Sequence, residues 1–350
     1  IDWELMKTEY GKYLPSIGNG YEFAEMLNEL LGELNVSHAY ARYSNPISNP
    51  DATATLGVFI DYKHKGDGIL ITEVLKGGPL DKSNFEIKPG MIIEKIDGET
   101  ISSNNDLATY LNRKAGKFTL LDIIDPSNKK EKMQITVKPI SLGAERGLLY
   151  SRWVKQNEQD IEKKSNGQLG YVHIPGMGDG PYRSIYDDMM GRYIDKKGMI
   201  VDTRFNGGGD LVADLVMFFT GVEFNVYATA AKDVGGEPTS RWTKPTLTMF
   251  NESNYSDGSC YAQAYVDLKL GTTLGMPVPG TCSWAGWEGL PNGGRWGVIP
   301  ISAKNIDGKW MENLQTEPDI KIKNMPGKID KGIDEQLDHA IQELLKEVNN

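Results

Sequence analysis

Apolar residues recur at helical spacing near the start of the chain and again at its end. Over 21–34, Phe23, Met26, Leu27, Leu30, Leu31 and Leu34 fall on one face of a 3.6-residue repeat. This predicts an amphipathic helix that delivers the chain to Asn35-Val36-Ser37-His38. Ile333, Leu337, Ile341 and Leu344 form the matching stripe of a terminal helix. Between them the period changes. Short apolar runs bounded by turn residues predict strands over 56–60, 68–74 and 91–96, a helix over 104–112, and strands over 118–124 and 133–137. Beyond Arg146 strand and helix alternate, with strands expected over 170–174 and 198–202 and helices over 182–192 and 211–219. That alternation argues for an α/β layer.

The polar, proline-broken stretch 44–50 reads as a linker and places a boundary near residue 50. At 350 residues, two or three domains are expected. A net charge of −10 argues against a nucleic-acid partner, and no apolar run is long enough for a membrane span. Cys260 and Cys282 lack metal-type spacing and either pair or stay reduced. No metal and no cofactor is expected. The chain opens at Ile1 without a leader, which reads as a fragment or a processed form. Localisation stays open between periplasmic or secreted and cytoplasmic.

Thr55-Leu56-Gly57-Val58-Phe59, the run Val74-Leu75-Lys76-Gly77-Gly78-Pro79-Leu80 and the stretch from Lys88 to the Asp97-Gly98 turn together resemble a PDZ domain. The resemblance implies peptide binding at Leu56, Gly57, Val58 and Phe59, with loop amides receiving a chain-terminal carboxylate. A PDZ fold serving only as a spacer is the plainer alternative.

Two segments carry candidate chemistry. Ser256-Asp257-Gly258 follows an apolar run and precedes a helix-compatible segment, the setting of a nucleophile on a strand-to-helix turn; an ordinary Ser or Asx turn competes with it. Asp202-Thr203-Arg204-Phe205-Asn206-Gly207-Gly208-Gly209 runs from a strand into three glycines whose amides are open to an anion; it fits neither GxGxxG nor GxxxxGK[ST], and a simple helix-entry turn is an equal alternative. A serine nucleophile needs a base. Among four histidines, His64 lies in a charged turn expected to be solvated, His339 on the exposed side of the terminal helix, and His173 inside a strand with a satisfied ring. His38 follows a helix end, where it either acts as base or stabilises the helix terminus. Carboxyl-terminal processing proteases, which also carry PDZ inserts, use a lysine after the serine, but no lysine occurs between Lys269 and Lys304. Cys260 as a rival nucleophile has nothing around it to lower its pKa.

Taken in order, Glu33 to Tyr40, the PDZ-like segment, Asp202 to Gly209, Asn251-Glu252, Ser256-Asp257-Gly258, Trp310-Met311-Glu312-Asn313 and Glu317-Pro318-Asp319-Ile320 resemble the tricorn protease family. The resemblance implies a crotonase- and Clp-peptidase-like β/α superhelical body with an N-terminal helical segment and an inserted PDZ-like domain. On that basis 1–50 carries the base, 51–142 is the PDZ-like domain and 143–350 carries the nucleophile. It further implies a serine endopeptidase acting on peptides or unfolded chains. Ser256 would be the nucleophile and His38 the base, with Ser37 and Glu312 completing a tetrad; the amides of Asp257 and of Gly208 or Gly209 would form the oxyanion hole. A homo-oligomer and β-propeller domains preceding this region are also implied. Two alternatives remain: a non-catalytic PDZ-based binding module on an inactive peptidase-like body, and an acyl-CoA enzyme using the glycine-rich loop.

Overall fold

The computed structural model describes residues 1–128 and 132–350. It divides into two units, Ile1–Asn45 with Asn157–Asn350, and Pro46–Gln156. In the first, helix α1 (Trp3–Gly11) starts where the Asp2 carboxylate accepts the Glu4 and Leu5 amides, and α2 (Gly20–Gly32) starts where Asn19 does the same for Tyr21 and Glu22. Strand β1 (Tyr40–Arg42) follows.

The second unit holds β2 (Ala54–Thr55), β3 (Val58–Ile60), β4 (Ile69–Val74), β5 (Ile92–Ile96), β6 (Glu99–Thr100), α3 (Ala108–Leu111), β7 (Thr119–Ile124), β8 (Lys132–Val137), β9 (Ile140–Ser141) and the first turns of α4 (Leu142–Lys164). Its main sheet runs β3-β4-β5-β7-β8, with β6 paired to β5, over a core that includes Leu56, Ile71, Ile93, Leu121 and Ile123. Two local differences from the sequence expectation have clear causes. The strand expected over 56–60 breaks at Gly57, which takes φ 66° and donates its amide to Thr55 Oγ1. The helix expected over 104–112 shrinks to α3 because polar side chains hold its first residues in turns: Ser102 Oγ accepts the Asn104 amide and Asp106 Oδ1 that of Ala108.

The remaining elements are β10 (Leu169–His173), α5 (Asp179–Asp187), β11 (Gly198–Asp202), α6 (Val212–Thr220), β12 (Asn225–Ala228), β13 (Asp233–Glu237), β14 (Thr246–Phe250), α7 (Asp257–Asp267), β15 (Thr272–Gly275), β16 (Ser283–Gly289), β17 (Arg295–Ser302), β18 (Ile320–Lys321) and α8 (Glu335–Asn349). The helix expected over 182–192 begins earlier, at Asp179, and passes into a π-helical turn at Asp188–Arg192. A parallel sheet, β10-β11-β14-β15-β18, forms the core of this unit. Every residue of β11 and β14 is buried, as expected of strands covered on both faces. Leu215 and Phe218 of α6 and Tyr261 and Tyr265 of α7 pack into one apolar cluster with β11, while Leu337, Ala340, Ile341 and Leu344 bury the apolar stripe of α8. A separate antiparallel sheet, β1-β17-β16, packs against α2. Among the described residues no helix is long and apolar enough to cross a membrane.

Loops leaving the C-terminal ends of β11 and β14 carry both candidate segments, the usual location of sites on parallel sheets. A buried charge network anchors the first of them. Arg204 donates to Asp202 at 2.7 Å, to Asp334 at 2.8 Å and to Gln336 at 3.1 Å, and Tyr171, itself accepting from Asn157, donates to Asp202 at 2.9 Å. Burial works to raise the Asp202 carboxyl, but the charge and hydrogen bonds of Arg204 outweigh it and hold the group below the usual carboxylate range. Arg204→Met strands Asp202 without its countercharge and is expected to cost about 3–5 kcal/mol, read as a lowered denaturation midpoint.

Candidate active site

Ser256 stands at the junction between the β14 loop and α7 with φ 54° and ψ −127°. A side chain there is strained by roughly 1–3 kcal/mol and persists only where its surroundings impose it. The impositions are visible. The Ser256 amide donates to Thr281 Oγ1 at 2.9 Å, the Tyr255 amide to the Asn206 carbonyl at 2.9 Å, and the Gly258 amide to the Tyr255 carbonyl at 2.9 Å. Gly208 comes so close that a Cβ would lie 2.6 Å from the Ser256 Cβ, and its own φ is 92°. The Ser256 hydroxyl makes no capping hydrogen bond; the neighbouring Asp257 carboxylate instead accepts the Leu211 and Val212 amides at the start of α6.

His38 also has a left-handed backbone, φ 59°. Tyr255 sets its position: the tyrosine hydroxyl accepts the His38 amide at 2.8 Å and the two rings lie 4.6 Å apart. On the other side of the ring, Nδ1 is 2.7 Å from Ser37 Oγ, and Ser37 Oγ is 3.1 Å from Glu312 Oε2. A carboxylate only accepts, so the Ser37 hydroxyl donates to Glu312 and Nδ1–H donates to Ser37. Nε2 is thereby left as the basic nitrogen. Glu312 also accepts from the Ser37 amide and from Ser283 Oγ, and the next side chain, Asn313, donates to the Asn35 carbonyl at 2.8 Å. Burial depresses the His38 pKa below its ordinary value, with the Glu312 charge pulling the other way. No hydrogen bond joins His38 to Ser256 in this structure, as is common where substrate is absent.

Of the three loop amides proposed as oxyanion donors, Gly208 N–H is taken by Asn206 Oδ1 at 2.8 Å. Those of Asp257 and Gly209 have no partner among the described residues. Cys260 forms a disulfide with Cys282, which removes the thiol that a cysteine nucleophile requires. His173 is half-buried and its Nε2–H donates to the Arg204 carbonyl at 3.0 Å, and His339 is bonded to the Glu335 carbonyl of its own helix. His64, expected to be solvated, has a buried Nε2 without a partner among the described residues.

In the second unit, Leu56 is 2% exposed and packs in the core, and Val58 starts β3. The Gly57 amide is held by Thr55, whose hydroxyl donates to the Glu145 carboxylate at 2.5 Å. Phe59 lies under the Arg152 guanidinium at 5.2 Å. A cavity of about 240 Å³ beside this loop is lined by Val58, Ile60, Leu107 and Leu111.

Sequence reasoning missed the segment 279–283. Thr281 holds the Ser256 amide, Ser283 holds Glu312, Cys282 is bonded to α7, and Ser259 of α7 donates to the Pro279 carbonyl. Its local signal was the placement of Cys282 between two hydroxyl residues, with its partner Cys260 one helical turn after Ser256.

Comparison with known proteins finds similarity along the chain. Peptidase family S41 matches residues 168–322, the Tricorn protease C1 domain matches 1–32 and the Tricorn protease PDZ domain matches 58–141. The chain is 27% identical to the Tricorn protease homolog of Saccharolobus solfataricus and 26% identical to the Tricorn protease of Thermoplasma acidophilum, each over 99% of this chain and 33% of the relative. It thus spans about a third of the length of these curated relatives. The crystal structure of the tricorn protease shares its fold, with a TM-score of 0.84 at 24% identity over 99% of this chain and 34% of that one. With segments matching the C1 domain, the PDZ domain and peptidase family S41 in that order, and with similarity to tricorn proteases over 99% of its length, the chain resembles the tricorn protease family.

Proposed function

We propose that the chain carries the catalytic site of a serine endopeptidase that hydrolyses peptides or unfolded polypeptides. One observation carries the proposal: a strained, uncapped Ser256 beside a histidine whose Nδ1 is tied through Ser37 to Glu312. In the mechanism, His38 Nε2 takes the Ser256 proton as Oγ attacks the scissile carbonyl, and later returns it to the leaving amine. Glu312 and Ser37 hold the tautomer and stabilise the imidazolium. The amides of Asp257 and Gly209 are the oxyanion donors, since Gly208 N–H is engaged by Asn206. Gly208 contributes the close approach to Ser256 that a side chain would block. The family resemblance supports a homo-oligomer and preceding β-propeller domains as the working assembly.

A second role, peptide capture at Leu56–Phe59 by the unit Pro46–Gln156, is favoured by the apolar cavity between β3 and α3. Glu145, standing on Thr55, opposes a free chain-terminal carboxylate there.

A fluorophosphonate probe is expected to form a single adduct at Ser256, located by peptide mass spectrometry and lost in His38→Ala. Ser256→Ala is expected to lower peptide hydrolysis on the order of 10⁴-fold or more; a folded protein that takes no label favours the binding role. Because a base acts only when neutral, kcat/KM is expected to fall as pH drops through the His38 pKa, with the midpoint displaced to the acid side of an ordinary histidine by burial. Glu312→Gln removes the charge that raises this pKa, so the midpoint moves further down and the plateau falls; an unmoved profile makes Glu312 a bystander.

The disulfide closes a loop of 22 residues' separation, worth about 3 kcal/mol in the chain-entropy account. Its reduction, or Cys260→Ser with Cys282→Ser, is expected to lower the melting temperature and slow probe labelling together with Thr281→Val, since both loosen the Ser256 amide. Labelling at the wild-type rate in both variants shows that the segment does not position the serine.

A further inference from the structure

Strand β1 begins two residues after His38, and its sheet has two different faces. The register pairs Tyr40 with Gly297, Ala41 with Trp296 and Arg42 with Arg295, and on the far side Trp287 with Gly297 and Glu288 with Trp296. Side chains alternate along strands, so Ala41 and Trp296 share one face, and these pack with Leu27 and Leu31 of α2. Tyr40, Arg42, Arg295 and Trp287 share the other.

That second face is organised. The Tyr40 and Trp287 rings meet edge to face at 4.5 Å. Gly297 lies between them, and a Cβ there would stand 2.9 Å from the indole. The Arg42 guanidinium sits 4.7 Å from the Tyr40 ring and donates to its hydroxyl at 2.9 Å, and that of Arg295 sits 5.1 Å from the Trp287 ring. Both arginines are exposed, and neither has a carboxylate partner among the described residues. In a chain of net charge −10 this is a local reversal of sign. A guanidinium held flat on a ring loses little freedom when it binds, and its remaining donors form the planar fork that matches a carboxylate.

We propose that this face is a substrate subsite for a peptide carboxylate, beginning at Tyr40, two residues along the chain from His38. The carboxylate comes either from an Asp or Glu side chain or from the peptide's C-terminus. The proposal rests on reading Ser256 and His38 as a peptidase site, and it is tested by equilibrium binding, which does not need turnover. Fluorescent peptides in matched pairs, Glu against Gln at one position and free against amidated C-terminus, are titrated by anisotropy into Ser256→Ala, and again with Arg42→Gln and Arg295→Gln added. At least one carboxylate member is expected to bind tenfold or more tightly than its neutral partner, and the double glutamine variant is expected to bring that ratio to about one. The pair that shows the ratio identifies the source of the carboxylate. Arg42→Lys with Arg295→Lys keeps the charge without the fork and is expected to retain only part of it, which separates recognition from misfolding. Equal binding within both pairs, or a ratio that survives in the glutamine variant, overturns the subsite. Fluorophosphonate labelling of the wild type reports on the peptidase reading separately, because the probe carries no carboxylate.

Discussion

A guanidinium removed from water must have its charge and its donors answered by protein, and Arg204 answers this requirement by drawing distant parts of the chain to one point. Asp202 ends β11, Asp334 and Gln336 begin the terminal helix, and Tyr171 adds the neighbouring strand through Asp202. Satisfying all of these groups at once ties the two strands and the terminal helix together. The backbone that leaves Arg204 is therefore fixed in direction, and it is this backbone that forms the glycine-rich loop under Ser256.

From there the constraint passes by hydrogen bonds to the candidate site. Asn206 accepts the Tyr255 amide at its carbonyl and caps the Gly208 amide with its side chain. Tyr255 in turn fixes His38 through its hydroxyl and its ring. A strained serine persists only where it is kept from relaxing, and here relaxation would break the Thr281 contact beside a disulfide that holds segment 279–283 to the same helix. Preorganisation of this kind is what the proposed covalent mechanism requires of its serine and its oxyanion donors.

Helix α2, the apolar stripe of α8 and the strand-and-helix alternation were legible from periodicity, and Ser37, His38, Ser256 and Glu312 entered as candidates through the family resemblance. Less was legible where polar side chains compete with the backbone. Ser102 and Asp106 shortened the expected 104–112 helix, and Gly57 split the expected strand. The hairpin β16 and β17 gave little signal because glycines interrupt its alternation, yet it supplies both Ser283 and the cationic aromatic face.

Local sequence determined what depends on nearest neighbours: where helices start at Asp2, Asn19 and Asp334, which faces are apolar, and that a serine lies before a helix. Tertiary structure alone decided which of those residues meet. Ser37 and Glu312 are 275 positions apart, and Ser256 and Thr281 are 25 apart. Pairings at such separations carry no local period or propensity. They follow from how a sheet, its loops and a buried charge pack together, and so appear only once the chain has folded.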